Sequence, residues 1–325
     1  MSFPSPTSAE PDTSVTPAIA RVVEVTAFGG PDVLRMRSIP RPEAAPGRVR
    51  VAVGASTVDL IDILARSGAF ASLLPDLKPP FVVGSELAGT LLDSADDLPA
   101  GTRVVSMIPW IAVGGRTGAY ADVVAVDPTW LARTPDNVDD ITAATLPGNG
   151  LAARQALDLL GVTSGQRILV TGASGSVGAY GVALAKLAGA QVVAQASSGD
   201  EAFVAKLGAD EVLPQSDAAT LAERVGTVDA VLDAALLGSD LLPAVRDGGA
   251  FAILMGDAFA SDRVRVKRLY SAPNPEQLSS LAELLGAGKL RTRVADVFPL
   301  EAAAQAHHRF AAGSLRGRLV LSNAA

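Results

Sequence analysis

Apolar residues along the 325-residue chain change rhythm twice. Between residues 21 and 126 they fall in short runs, at 22–25, 49–53, 81–90, 102–107 and 118–126. Turn residues separate these runs: Phe28-Gly29-Gly30-Pro31, a loop with Pro40, Pro42 and Pro46, and the loop 75–80. Short runs bounded by glycine and proline predict a mostly β region. One helix is expected within it at 59–67, where Leu60, Ile63 and Leu64 share a face. Asp59 stands at its N-cap with Asp62 three residues on, a variant of the capping box. From 139 to 157 valine-rich runs give way to Ala, Leu and Gln, a helical texture that marks a hinge around Leu146-Pro147-Gly148-Asn149-Gly150-Leu151.

From Arg167 onward strands and helices alternate. Strands are predicted at 168–170, 192–196, 211–214, 228–233, 250–255 and 263–270, with helices at 177–188, 199–207, 218–225 and 240–245. Six strands with helical crossovers predict an α/β fold with a doubly wound parallel sheet, its ligand at the carboxyl ends of the strands. The tail, 275–287, 294–298, 300–312 and 319–321, does not continue that sheet and is expected to return to the first region. The resulting division is 1–18 as a disordered leader, 19–143 with 272–325 as one domain, and 144–271 as the other.

The first unit of the alternating half carries the chemistry. A buried strand runs into Gly172-Ala173-Ser174-Gly175-Ser176-Val177-Gly178, then a small-residue helix, then a second strand. This order places a pyrophosphate on a helix N-terminus. Glycines there permit the sharp turn, the approach of backbone N–H groups to the diphosphate, and close packing of helix on strand.

Composition narrows the classes. Hydrophobic residues make up 49% and charged residues 19%, which fits a large buried α/β interior and not a disordered chain. The net charge of −7 argues against nucleic-acid or anionic-membrane partners. No apolar run approaches a transmembrane length, and the Ser/Pro/Thr-rich start has neither a cationic nor an apolar signal region, so a cytoplasmic protein is expected. The absence of cysteine excludes disulfides, a thiol nucleophile and a cysteine-built zinc site.

Several motifs, in order, resemble the zinc-independent, quinone oxidoreductase-like branch of the medium-chain dehydrogenases/reductases. They are Phe28-Gly29-Gly30-Pro31-Asp32-Val33-Leu34, Pro80-Phe81-Val82-Val83-Gly84-Ser85-Glu86-Leu87-Ala88-Gly89, Gly101-Thr102-Arg103-Val104 and Gly118-Ala119-Tyr120-Ala121-Asp122. Leu146-Pro147 with Gly150-Leu151-Ala152-Ala153, the glycine turn, Phe298-Pro299-Leu300 and Gly317-Arg318-Leu319-Val320-Leu321 complete the series. The resemblance implies a GroES-like β-rich catalytic domain beside a Rossmann domain, with the active site in the cleft between them. It also implies reduction of quinones or enones with NADPH, and a homodimer in many members. The strand at 263–270 suits pairing across a two-fold axis, although its four basic residues would equally protect a free edge.

Zinc-dependent relatives use cysteine, histidine and an acid, whereas the histidines here are the adjacent His307-His308. Neighbours on a helix diverge by about 100°, so the pair is expected on an exposed helix face and no metal site is predicted. Where NAD-preferring sites place an acid, the chain has Gln195, followed by Ser197 and Ser198. This favours NADPH, with the serines donating to a 2′-phosphate or capping the next helix. The nearest following cation is Lys206, behind Asp200 and Glu201. Met255 and Gly256, closing another strand, are the remaining expected cofactor contacts.

The catalytic positions depart from the family. Relatives carry Asn-x-x-Asp at the first helix, and here Asp59 and Asp62 fill those places. A tyrosine common after the second acid is Leu64, and a threonine near the nicotinamide is Ala152. Asp59 has two readings, a general acid or base beside the nicotinamide or an ordinary N-cap. Tyr120 is either a donor to a substrate carbonyl or a packed strand aromatic. Asn149 either bonds the nicotinamide or ties down a turn, and Arg116 is expected to be solvated. Three functions follow: NADPH-dependent reduction of an enone or quinone, proton-transfer chemistry at Asp59 on the same scaffold, and NADPH binding without turnover by a redox-responsive protein.

Overall fold

In the computed structural model, which describes residues 18–95, 97–256 and 258–323, the apolar runs of the first half form strands of two sheets. The elements of that half are β1 (Ile19–Val25), β2 (Leu34–Pro40), β3 (Val49–Val58), α1 (Leu60–Ser67), β4 (Phe81–Val82), β5 (Glu86–Leu91), β6 (Arg103–Met107), β7 (Val123–Val126) and β8 (Leu131–Arg133). One sheet is β2-β1-β4, and the larger one is built on β3, β5 and β6. β3 alternates buried and half-buried positions along its first half and is buried throughout its second. The change comes where another strand from the far end of the chain lies against it. The leader expected at 1–18 lies, apart from residue 18, outside the described residues.

The hinge region, expected to be helical in texture, is two helices, α2 (Asp140–Ala144) and α3 (Pro147–Leu160). Pro147 has no N–H to donate back into the preceding turn, so a new helix starts on it. β9 (Arg167–Thr171), α4 (Ser176–Leu187), β10 (Gln191–Ala196), α5 (Glu201–Lys206), β11 (Glu211–Pro214), α6 (Ala218–Val225), β12 (Val228–Asp233), β13 (Val245–Ile253) and β14 (Arg265–Arg268) follow. All pair in parallel in the order β11-β10-β9-β12-β13-β14. Chain order therefore reverses between β9 and β12, the switch point where doubly wound sheets bind ligands. The helix expected at 240–245 is a 3₁₀ segment, Gly238–Ala244, with Pro243 inside it.

α7 (Pro275–Gly286), β15 (Val294–Pro299), α8 (Ala303–Ala311) and β16 (Arg318–Ser322) complete the chain. β16 runs antiparallel to β3, pairing Leu319 with Val58 and Ser322 with Ala55, and β15 runs parallel beside it. The C-terminal strands thus join the larger sheet of the first half. This is the GroES-like sheet beside a Rossmann-type sheet. One apolar core reaches from Ala55, Ala88 and Val105 through Leu146, Leu151 and Leu157 to Val170, Val182 and Leu232. α3 is the shared wall between the two sheets.

Sequence punctuation explains most breaks. The expected strand at 81–90 is interrupted at Gly84, whose φ of +110° is a left-handed conformation that other residues resist. At Gly89, beside the β3 bulge, a methyl group would collide with the Ala52 carbonyl oxygen across the ladder. Gly89→Ala is therefore expected to destabilise the fold by about 3 kcal/mol, read as a lowered urea midpoint with an unchanged slope.

Candidate active site

The glycine turn is built to hold an anion. Gly172 has φ +57° and sits 3.0 Å, at the position of a would-be Cβ, from the backbone of Ala234 and Ala235. A methyl on Gly178 would collide with the Gly172 carbonyl oxygen, so only glycine lets α4 come this close to the turn. α4 begins after Gly175 with no side-chain cap, which leaves its first N–H groups for a ligand. The Ala173 N–H donates to the Gln195 carbonyl at 3.0 Å, and the Ser197 N–H donates to Ser174 Oγ at 2.9 Å. These bonds bring 172–174 and 195–197 together at the carboxyl ends of β9 and β10. Thr171 Oγ1 donates to Asp233 Oδ1 at 2.6 Å and accepts from the Ala235 N–H, fixing the next turn alongside. The residues fit a bound dinucleotide.

Gln195 is buried, and its Nε2 donates to the Ser216 carbonyl at 3.0 Å. Two arginines invisible to local sequence reading lie beyond it. Arg293 donates from Nη1 to Asp200 Oδ1 at 2.7 Å and from Nη2 to the Ser174 carbonyl at 2.6 Å. Its guanidinium also lies 3.9 Å over the Phe203 ring. Arg316 donates to the Ser198 carbonyl at 2.8 Å, with its Nε 3.6 Å from Asp200 Oδ2. Sequence reading found no cation near this end of the site because both come from the segments leading into the C-terminal strands β15 and β16, about a hundred residues away. Met255 is partly exposed past the end of β13, and Gly256 follows it with φ +96°.

On the other side of the cleft Asp59 caps α1. Its Oδ1 accepts from the Ile61 N–H at 3.0 Å, and its Oδ2 accepts from Arg318 Nη1 at 2.9 Å. Arg318 Nη2 donates to Thr57 Oγ1 at 2.8 Å and to Glu86 Oε1 at 2.6 Å. The other Glu86 oxygen accepts from the Gly148 N–H at 3.1 Å, at the start of α3. Burial pushes the Glu86 carboxyl up to about 7 against the pull of Arg318, and the two carboxylates hold Arg318 above its ordinary value. Asn149, on α3, is buried with its Nδ2 on the Thr145 carbonyl at 3.3 Å.

Asp62 closes the capping box by accepting from the Asp59 N–H at 2.8 Å, and it also accepts from the Gly84 N–H at 3.0 Å. The Tyr120 hydroxyl lies 3.3 Å from Asp62 Oδ2 and 3.0 Å from His307 Nε2. Tyr120 and His307 are both fully buried. The expectation of an exposed histidine pair is corrected here for His307. α8 packs its inner face on α1 and Tyr120, so the 307 ring points inward while His308 turns out to Asp32. Burial lowers the His307 pKa to about 3 and keeps the ring neutral. Asp59 and Tyr120 are thus linked through Asp62, but the phenol has no exposed surface to offer a substrate.

Burial also pushes the Asp62 carboxyl up to about 8, with the Asp59 charge adding to the effect. An unfolded aspartate releases its proton near pH 3.9. Stability from the retained proton is then complete below that pH and is lost as pH rises through about 8. Asp62→Asn cannot titrate. Its stability deficit against the parent, read as a melting-temperature difference at each pH, is expected to shrink as pH rises from about 5 to about 8. A deficit that is constant across that range would contradict the raised carboxyl.

Two family descriptions match the chain, "Alcohol dehydrogenase GroES-like domain" over residues 45–136 and "Zinc-binding dehydrogenase" over residues 207–321. A probable zinc-binding mitochondrial oxidoreductase of Arthroderma benhamiae is 31% identical over 270 residues, covering 75% of this chain and 80% of that protein. A chloroplastic NADPH-dependent alkenal/one oxidoreductase of Arabidopsis thaliana is 28% identical over 290 residues, covering 83% and 73%. The structure of the quinone oxidoreductase from Coxiella burnetii superposes with a TM-score of 0.83 at 25% identity, covering 94% of this chain and all of that one. Among the described residues no helix is long and apolar enough to cross a membrane, and no three His, Asp or Glu side chains are grouped to hold a metal ion. With its GroES-like and Rossmann-type sheets and no cysteine in its sequence, the chain belongs to the zinc-independent, quinone oxidoreductase-like branch of the medium-chain dehydrogenase/reductase family.

Proposed function

We propose that the protein is an NADPH-dependent reductase of an activated carbon–carbon double bond, in an enone or a quinone. The observation that carries this reading is the adenosine end of the glycine turn. Gln195 stands where an acid would bind a free ribose, and Arg316 reaches the Ser198 backbone beside it. Similarity to an alkenal/one oxidoreductase described as NADPH-dependent, and to a quinone oxidoreductase structure, supports the substrate class.

When bound, NADPH supplies a hydride to the electrophilic carbon, and the double-bond electrons move onto the carbonyl oxygen. The chain's part is to bind, orient and exclude water. The N–H groups opening α4 hold the diphosphate, with Gly172, Ala173, Ser174, Gly175, Ser176, Val177 and Gly178 as the cradle. Ser197 and Ser198, past β10, hold the ribose phosphate, while Met255 and Gly256, past β13 on the far side of the switch point, border the cofactor's other half. Asn149 keeps the hinge turn in place. Asp59 is a positioning residue in this reading, since both of its oxygens already accept hydrogen bonds. Proton-transfer chemistry at Asp59 would compete with its bond to Arg318. Residues 144–271 act as the cofactor domain, residues 19–143 and 272–325 as the catalytic one, and the outer edge of β14 as a surface for homodimer pairing.

Purified protein mixed with NADPH and a panel of enones and quinones is expected to consume the reduced nicotinamide and return products two hydrogens heavier. Product formed without loss of nicotinamide absorbance would overturn the redox reading. Gly175→Asp puts a carboxylate against the diphosphate and is expected to weaken NADPH binding about a hundredfold by calorimetry. Retained affinity would displace the site from this turn.

A further inference from the structure

The carboxylate of Asp200 is 5% exposed, yet it meets two guanidinium groups brought from the other sheet. It stands five residues past Gln195, at the foot of α5, where the ribose of a dinucleotide approaches in this fold. The two arginines hold it unequally. Arg293 makes a 2.7 Å bond to Oδ1, a second bond to the Ser174 carbonyl and a face contact with Phe203, and its side chain is 23% exposed. Arg316 is 58% exposed, and its Nε lies 3.6 Å from Oδ2, beyond hydrogen-bonding range. Between Ser198 and Asp200, Gly199 takes a left-handed conformation, φ +83°, and the Arg316 guanidinium lies beside it on the Ser198 carbonyl.

We propose, on the basis of the NADPH reading above, that Asp200 is an internal stand-in for the 2′-phosphate. In the free protein it partly neutralises Arg316, and the phosphate of a 2′-phosphorylated adenine dinucleotide takes that arginine over while Arg293 stays on Asp200. Arg293 is therefore the fixed pin of the cluster and Arg316 the reader. The exchange favours the phosphate for two reasons. A phosphate offers a higher charge and more acceptor oxygens than a carboxylate at 3.6 Å. It also accepts from the hydroxyl groups of Ser197 and Ser198, which the carboxylate does not engage. A dinucleotide with a free ribose hydroxyl gives Arg316 nothing to exchange for. Discrimination between the two cofactors then depends on the competition between Asp200 and the phosphate.

The test uses 2′,5′-ADP and 5′-ADP as probes and measures both dissociation constants by calorimetry on the full chain. Their ratio reports 2′-phosphate recognition without involving the nicotinamide or the substrate. Arg316→Ala is expected to bring the ratio close to one, and Asp200→Asn to raise it about tenfold by removing the competitor. The double variant should match Arg316→Ala alone. A ratio that Asp200→Asn leaves unchanged or lowers would show that the carboxylate only positions the arginine, and would overturn the proposal. Because Arg316 is largely exposed, its alanine variant tests the reader even if Asp200→Asn does not fold, and a ratio that survives in it also overturns the proposal. A parent protein preferring 2′,5′-ADP, with neither variant altering the preference, would leave the NADPH reading standing and remove this one. A parent preferring 5′-ADP, with Asp200→Asn reversing the order, would do the opposite.

Discussion

The buried guanidinium of Arg318 is the contact on which the arrangement of the two sheets depends. A charge taken out of water at this depth is costly unless it is paired and hydrogen-bonded. Three partners engage its two Nη groups, Asp59 at the cap of α1, Thr57 at the end of β3 and Glu86 at the start of β5, while its buried Nε has no hydrogen-bond partner among the described residues. Glu86 in turn receives the Gly148 N–H, where a Cβ would lie only 2.7 Å from its Oε1. The start of α3 is thereby bonded to a carboxylate whose counter-ion arrives on the last strand. Removing the arginine would leave a buried acid beside a helix N-terminus with no cation, a costlier state than the pair itself.

The strand that carries Arg318 is also bonded to the segment that reaches the glycine turn. The Arg318 N–H donates to the Arg293 carbonyl at 2.8 Å, and Gly317 is glycine where any side chain would collide with that carbonyl. Arg293 is thus held by its backbone to the strand that carries the buried charge, while its side chain bridges Ser174 and Asp200. The Asp59–Arg318–Glu86 cluster and the Asp200–Arg293 cluster are the two faces of one strand junction. A chain with a net charge of −7 can in this way bring Arg293 beside the glycine turn and Arg316 beside Ser198 without a basic run in its sequence.

That junction also explains what could be read from the sequence and what could not. The glycine turn, the parallel strands and the return of the tail follow from local rhythm, and each is visible within about thirty residues. The break at Pro147 and the 3₁₀ segment around Pro243 were missed because the periodicity of apolar positions outweighed the missing N–H. The roles of Arg293, Arg316 and Arg318 rest on pairings between β3, β15 and β16 across more than two hundred residues, which carry no local periodic signal. His307 went unread for a related reason. A polar residue on a helix reads as solvent-facing until its partner, the Tyr120 hydroxyl, is placed beside it.

Asp59 then acquires a physical reason that its position in a motif could not supply. The family pattern that the sequence resembles has Asn in that place, and an amide oxygen would cap α1 nearly as well. An amide would not compensate Arg318, whose remaining carboxylate, Glu86, is pushed by burial toward its neutral form. With Asp59 ionised, the guanidinium keeps one full counter-charge whether or not Glu86 holds a proton. The departure from the family pattern therefore answers the electrostatics of β16. It leaves the reaction itself to depend on what most metal-free hydride transfer needs, an oriented cofactor and a site closed to water.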